Sequence, residues 1–217
     1  MNEMTEIKGG AGARDTFELR QSRIELPEAI AIGASTGGPQ ALLKVLSDIK
    51  AVQQPVFITQ HMPITFIDML SEHIHRETGM PCSVAQDGQE VKNAHVYLAP
   101  GDHHMMVARG GALKTICLSQ DAPENFCRPS VDPMLRSLAD TYGKNLLILI
   151  LTGMGNDGGK GGAYAVEKGA AIIAQDEASS VVWGMPKVVA RAGLCHAVLP
   201  LNEIGPYAFA VAQKGRK

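Results

Sequence analysis

Short apolar runs recur along the chain, and most of them stop at a turn rich in glycine or proline. Residues 29–34, 55–60, 146–152 and 170–175 are nearly continuous in Ala, Val, Ile, Leu and Phe. Runs of that length without alternation predict strands buried on both faces. Between them the period changes. Ala41, Leu42, Val45, Leu46 and Ile49 recur at helical spacing, and helical patterns also cover 64–77, 131–142, 160–168, the region near 185–192 and 203–213. Pro63 fits the first turn of the helix it precedes, where its missing N–H goes unused. The middle of the chain differs: 96–99, 104–108 and 115–118 are short β-like pieces, and the break at Arg109-Gly110-Gly111 predicts a hairpin. Strands alternating with helices imply crossover units and a mostly parallel sheet. The expected fold is α/β, doubly wound, with helices on both faces of the sheet and a β-hairpin insertion. Residues 1–27, polar and carrying Gly9-Gly10-Ala11-Gly12, are expected to form a flexible tail or linker, with one catalytic domain over 28–217.

Composition narrows the function classes. The 217 residues are 45% hydrophobic but only 5% aromatic, which suits a glycine-turned α/β domain. A net charge of −2 gives no electrostatic footprint for nucleic acid or an anionic membrane. No apolar run approaches the ~20 residues of a membrane span, and the first twenty residues lack a signal-type core. The cysteines, Cys82, Cys117, Cys127 and Cys195, show neither a CxxC pair nor metal spacing, and read as reduced thiols in a cytoplasmic protein.

Three of the apolar runs end on residues that carry chemistry. Ser35 follows the first, His61 the second, and Asp157 lies in the glycine-rich stretch Thr152-Gly153-Met154-Gly155-Asn156-Asp157-Gly158-Gly159 after the run at 146–152. In a parallel sheet the carboxyl ends of strands share one edge, outside which ligands bind. A hydroxyl, an imidazole and a carboxylate gathered there are the parts of an acyl-transfer catalyst. Each also has a plainer reading. Ser35 and Asp157 are both good helix N-caps, and His61 can simply bond backbone. His73, His75, His95, His103, His104 and His196 are the other histidines, and none ends a buried strand before a loop as His61 does. A dinucleotide loop is disfavoured, because Gly33-x-x-x-Gly37-Gly38 departs from G-x-G-x-x-G and the second run ends in Gln60-His61 rather than an acid. A phosphate loop fails at Met154 and Gly161. Gly33-Ala34-Ser35-Thr36-Gly37 does match the bare letters of a nucleophile elbow, a common pattern. In Arg128-Pro129-Ser130-Val131-Asp132-Pro133, Asp132 reads as an N-cap, and the functional reading puts Arg128 on the substrate side. Trp183 reads either as packing or as a wall of the cleft.

Taken together, Ile32-Gly33-Ala34-Ser35-Thr36-Gly37-Gly38-Pro39, Gln60-His61-Met62-Pro63, Tyr97-Leu98-Ala99-Pro100-Gly101, Arg128-Pro129-Ser130-Val131-Asp132, Leu151-Thr152-Gly153-Met154-Gly155-Asn156-Asp157-Gly158, Ala174-Gln175-Asp176 and Gly184-Met185-Pro186 resemble the catalytic domain of the chemotaxis protein-glutamate methylesterase family over roughly 28–213. The resemblance implies that Ser35 is the nucleophile, His61 the general base and acid, and Asp157 its orienter. It sets Thr36 and Met154 beside them, with the Met154 backbone N–H helping to hold an oxyanion. It also implies hydrolysis of glutamate γ-methyl esters on the cytoplasmic helices of methyl-accepting chemotaxis receptors, with deamidation of receptor glutamines as a related activity. No metal or cofactor, no nucleic acid and no membrane insertion are expected. The chain departs from the family's pattern at Cys127, where many members carry His, and in showing no receiver domain, so that 1–27 reads as the linker of a lost receiver or the start of a stand-alone esterase.

Overall fold

The computed structural model describes residues 17–110 and 113–213. Seven parallel strands form one sheet in the order β3-β4-β2-β1-β7-β8-β9. The strands are β1 (Ala29–Ala34), β2 (Val56–Gln60), β3 (Cys82–Val84), β4 (Val96–Leu98), β7 (Leu146–Ile150), β8 (Ala171–Gln175) and β9 (Cys195–Leu199). A separate antiparallel hairpin joins β5 (His104–Gly110) to β6 (Leu113–Ser119). Its tip, at Gly111, lies outside the described residues, as do residues 1–16 of the expected tail.

The unbroken apolar runs are explained by helices on both sides of the sheet. Along β1, Ala29 and Ala31 face one core, and Ile30, Ile32 and Ala34 face the other. β7 alternates in the same way, with Ile148 and Ile150 on the first side and Leu147 and Leu149 on the second. The first core is closed by α3 (Val131–Tyr142), α4 (Gly159–Glu167), α5 (Met185–Arg191) and the hairpin. The second is closed by α1 (Gly38–Asp48), α2 (Ile67–Thr78) and α6 (Leu201–Ala212). The hairpin is fixed to α3 by side-chain bonds: Ser137 Oγ accepts the Val107 N–H at 3.1 Å and Thr141 Oγ1 donates to the Val107 carbonyl at 3.2 Å.

Two expectations need correction. The segment upstream of 27 is attached to the folded body from Phe17 onward. Phe17 and Leu19 pack on the first core, Ile24 on the second, and Arg20 N–H donates to the Cys195 carbonyl at 2.8 Å. Burying those apolar side chains ties the stretch down against β9. Asp132, in turn, is not the N-cap of α3. Ser130 holds that position and Asp132 sits one turn-residue inside the helix, buried, with Oδ1 accepting the Gly161 N–H at 2.6 Å. The cap is supplied by a carboxylate from a distant loop.

Candidate active site

β1 lies between β2 and β7, and the ladder continues past the strand ends. Ser35 N–H donates to the Thr152 carbonyl at 3.0 Å, and His61 N–H donates to the Ala34 carbonyl at 3.0 Å. The chain leaves β1 for β2 on one side and returns as β7 on the other, so the crevice outside these carboxyl ends is a topological switch point. Ser35, His61 and Asp157 are all delivered to that edge, on the loops that follow three adjacent strands.

Asp157 is the most constrained of the three. Its Oδ2 accepts the His61 Nε2–H at 2.8 Å and the Val131 N–H at 2.6 Å. Its Oδ1 accepts the Ser130 hydroxyl at 2.7 Å, the Asn125 Nδ2 at 2.9 Å, and the N–H groups of Gly158 at 2.9 Å and Asp132 at 3.0 Å. Val131 and Asp132 open α3, so the carboxylate caps that helix and meets its positive end. Burial pushes the Asp157 carboxyl up, but the hydrogen bonds from His61, Val131 and Ser130 outweigh it and hold the group below the usual carboxylate range. Asp132 goes the other way: burial raises it, against hydrogen bonds from Gly161 and Asn125.

With Nε2–H given to Asp157, the lone pair of the His61 ring lies on Nδ1. Its recorded neighbour is Cys127 Sγ at 3.7 Å. Among the described residues the Ser35 hydroxyl makes no hydrogen bond, so the bonded relay expected from the sequence is formed between 61 and 157 and not yet between 35 and 61. Gln60 links the two halves through the backbone: its Nε2 donates to the Ser35 carbonyl and to the His61 carbonyl, each at 2.9 Å. On the other side the Gly153 backbone passes so close that a Cβ there would lie 2.8 Å from Ser35 Cβ.

Thr36 and Met154 are exposed on the same edge, Thr36 through its carbonyl to Thr152 Oγ1 at 2.9 Å. Met154 N–H donates to no backbone carbonyl among the described residues. Arg128 is not brought to the group. Its guanidinium spans the Asp102 carboxylate and the carbonyls of Gln120 and Asp121, which makes it a strut of the loop. Trp183 is half-buried against the first core and donates from Nε1 to the Gln175 carbonyl at 2.9 Å. Gln60, Asn125 and Ser130 were not singled out as site residues by the sequence. Only Gln60 offered a local signal, a polar residue closing an otherwise apolar run. Among the described residues no cluster of three or more His, Cys, Asp or Glu side chains is arranged to hold a metal ion.

With this geometry in view, residues 30–207 match the family model described as CheB methylesterase. The chain belongs to the CheB methylesterase family. A protein-glutamate methylesterase/protein-glutamine glutaminase 1 of Paramagnetospirillum magneticum is 56% identical over 200 residues, 91% of this chain and 52% of that protein. A protein-glutamate methylesterase/protein-glutamine glutaminase of Azospirillum brasilense is 57% identical over 83% of this chain and 46% of its own length. The chain thus spans about half the length of the curated relatives it matches. The crystal structure of the Thermotoga maritima CheB methylesterase catalytic domain superposes with a TM-score of 0.83 at 34% identity, covering 85% of this chain and 98% of that one.

Proposed function

We propose that this chain hydrolyses γ-methyl esters of glutamate side chains on a protein substrate, with Ser35 as nucleophile, His61 as base and acid, and Asp157 as the group that orients the ring. The observation that carries the reading is the 2.8 Å bond from His61 Nε2 to a buried carboxylate, made where the Ser35 loop leaves the adjacent strand. That bond fixes the ring tautomer with Nδ1 as the acceptor and stabilises the imidazolium that forms. Ser35 Oγ attacks the ester carbonyl as its proton passes to Nδ1. The tetrahedral oxyanion is held by backbone N–H groups, that of Met154 among them. Collapse breaks the bond to methoxide, which takes the proton from Nδ1 and leaves as methanol. Water then adds to the acyl-serine with the same base, releasing glutamate. Deamidation follows the same route with ammonia leaving, in keeping with the double names of the relatives.

A protein substrate is favoured by the surface around the site. Ile64, Phe66, Met69, Phe126, Met154 and Val181 are exposed large apolar side chains on segments that leave this edge of the sheet. Apolar side chains gathered this way mark contact surfaces for macromolecules. The substrate favoured by the family membership is the cytoplasmic helices of methyl-accepting chemotaxis receptors, with the reaction taking place in the cytoplasm. No helix among the described residues is long and apolar enough to cross a membrane. A serine-reactive phosphonate tests the reading: it should label Ser35 in the wild type and not in His61→Gln. A wild-type chain left unlabelled would point to a binding module on this fold.

A further inference from the structure

The segment that precedes α3 arches over the His61–Asp157 pair and is anchored at successive residues. Glu124 pairs with Arg136 on α3, and Glu124 and Cys127 exchange backbone hydrogen bonds at 3.2 and 2.9 Å. Asn125 and Phe126 both have positive φ, 52° and 62°. Asn tolerates that conformation better than most residues. The turn aims the Asn125 amide inward, where Nδ2 donates to Asp132 Oδ2 at 2.8 Å and to Asp157 Oδ1 at 2.9 Å. Two residues on, the Cys127 thiol faces Nδ1 of His61.

We propose that 124–128 is a positioning arm for the base, in which Asn125 ties the two carboxylates together behind the ring and Cys127 donates its S–H to Nδ1, so that the ring is aimed with one nitrogen on each side engaged until substrate arrives. This rests on the function proposed above. His61 faces Asp157 directly, with Asp132 behind it, and Arg136 on α3, paired with Glu124, lies close enough to act on both carboxylates. Accepting the serine proton requires the ring to be aimed with Nδ1 toward the hydroxyl. Among the described residues the Asn125 amide is the one side chain hydrogen-bonded to both carboxylates. An S–H donor at Nδ1 is compatible only with the neutral ring. Cys127 itself is kept protonated by burial and by the nearby charge of Asp157, so it stays a donor. In this arrangement the Ser35 hydroxyl replaces the thiol at Nδ1 when the site is occupied.

The test is the tautomer of the His61 ring, read by two-bond proton–nitrogen NMR, with His61 assigned from His61→Gln. Asn125→Gly removes the amide without adding backbone strain, and Cys127→Ala removes the donor. Each should replace the single Nε2–H tautomer by a mixed or broadened signal and lower kcat by roughly three- to tenfold with KM little changed. Cys127→Ser, which keeps a donor, should return both toward the wild type. If Asn125→Gly does not fold, Asn125→Asp, which removes the amide donor, should show the same loss of kcat and of the single tautomer. A single Nε2–H tautomer and an unchanged kcat in both variants, with only thermal stability lowered, would overturn the arm. A wild-type chain inactive on esters would overturn the proposed function instead, and the tautomer read by NMR would still decide the arm.

Discussion

The Val131 N–H that begins α3 donates to Asp157 at 2.6 Å, so the carboxylate that holds His61 also caps a helix from another loop. The start of α3 and the orientation of the His61 ring are therefore carried by one side chain. The free carboxyl of the unfolded chain titrates near ~3.9, and the folded group lies below that. Above the unfolded value the native state gains from the ionised form, and the gain is lost as pH falls through the folded value. Asp157→Asn should cost about 2 kcal/mol at pH 7. The gap to wild type should close as the pH is lowered past that range. Urea unfolding followed by the fluorescence of Trp183, the single tryptophan, measures both.

Gly153 should tolerate no side chain. A Cβ there would stand 2.4 Å from Met185 Sδ, 2.8 Å from Ser35 Cβ and 3.0 Å from Ser35 N. Gly153→Ala should destabilise by about 1–3 kcal/mol and lower kcat by more than the change in folded fraction, because Ser35 itself must shift. Gly110→Ala, where a Cβ meets nothing within 4 Å, is the control and should stay within about 0.5 kcal/mol of wild type.

Gln60 fixes the spacing of two loops with one amide. Gln60→Leu should leave the chain folded while lowering kcat by about tenfold to a hundredfold, the scale of a small misplacement of reacting groups. Gln60→Glu should be worse, since a carboxylate oxygen would face the Ser35 and His61 carbonyls. Steady-state kinetics with circular dichroism on each variant separates lost positioning from lost fold.

The elements best read from sequence were those buried on both faces. β1 and α3 have the expected bounds, because a central strand and a long amphipathic helix are determined by their own residues. β3 and β9 went unread. They are edge strands of three and five residues, and Cys195-His196-Ala197-Val198-Leu199 carries a polar side chain where a central strand would not. The placement of Ser35, His61 and Asp157 at one sheet edge was legible because each lies on a loop that ends a strand. It was not legible where the role depends on a distant partner. Asp132 lost its capping role to a residue 25 positions on, Arg128 is committed to Asp102, and Asn125 gains its position only when α3 and the loop after β7 are brought together.

The most direct test is methanol release from a methyl-esterified chemoreceptor by wild type and Ser35→Ala. The account predicts release by the wild type and a fall of several orders of magnitude in a variant with unchanged circular dichroism. Release by Ser35→Ala at the wild-type rate would contradict it.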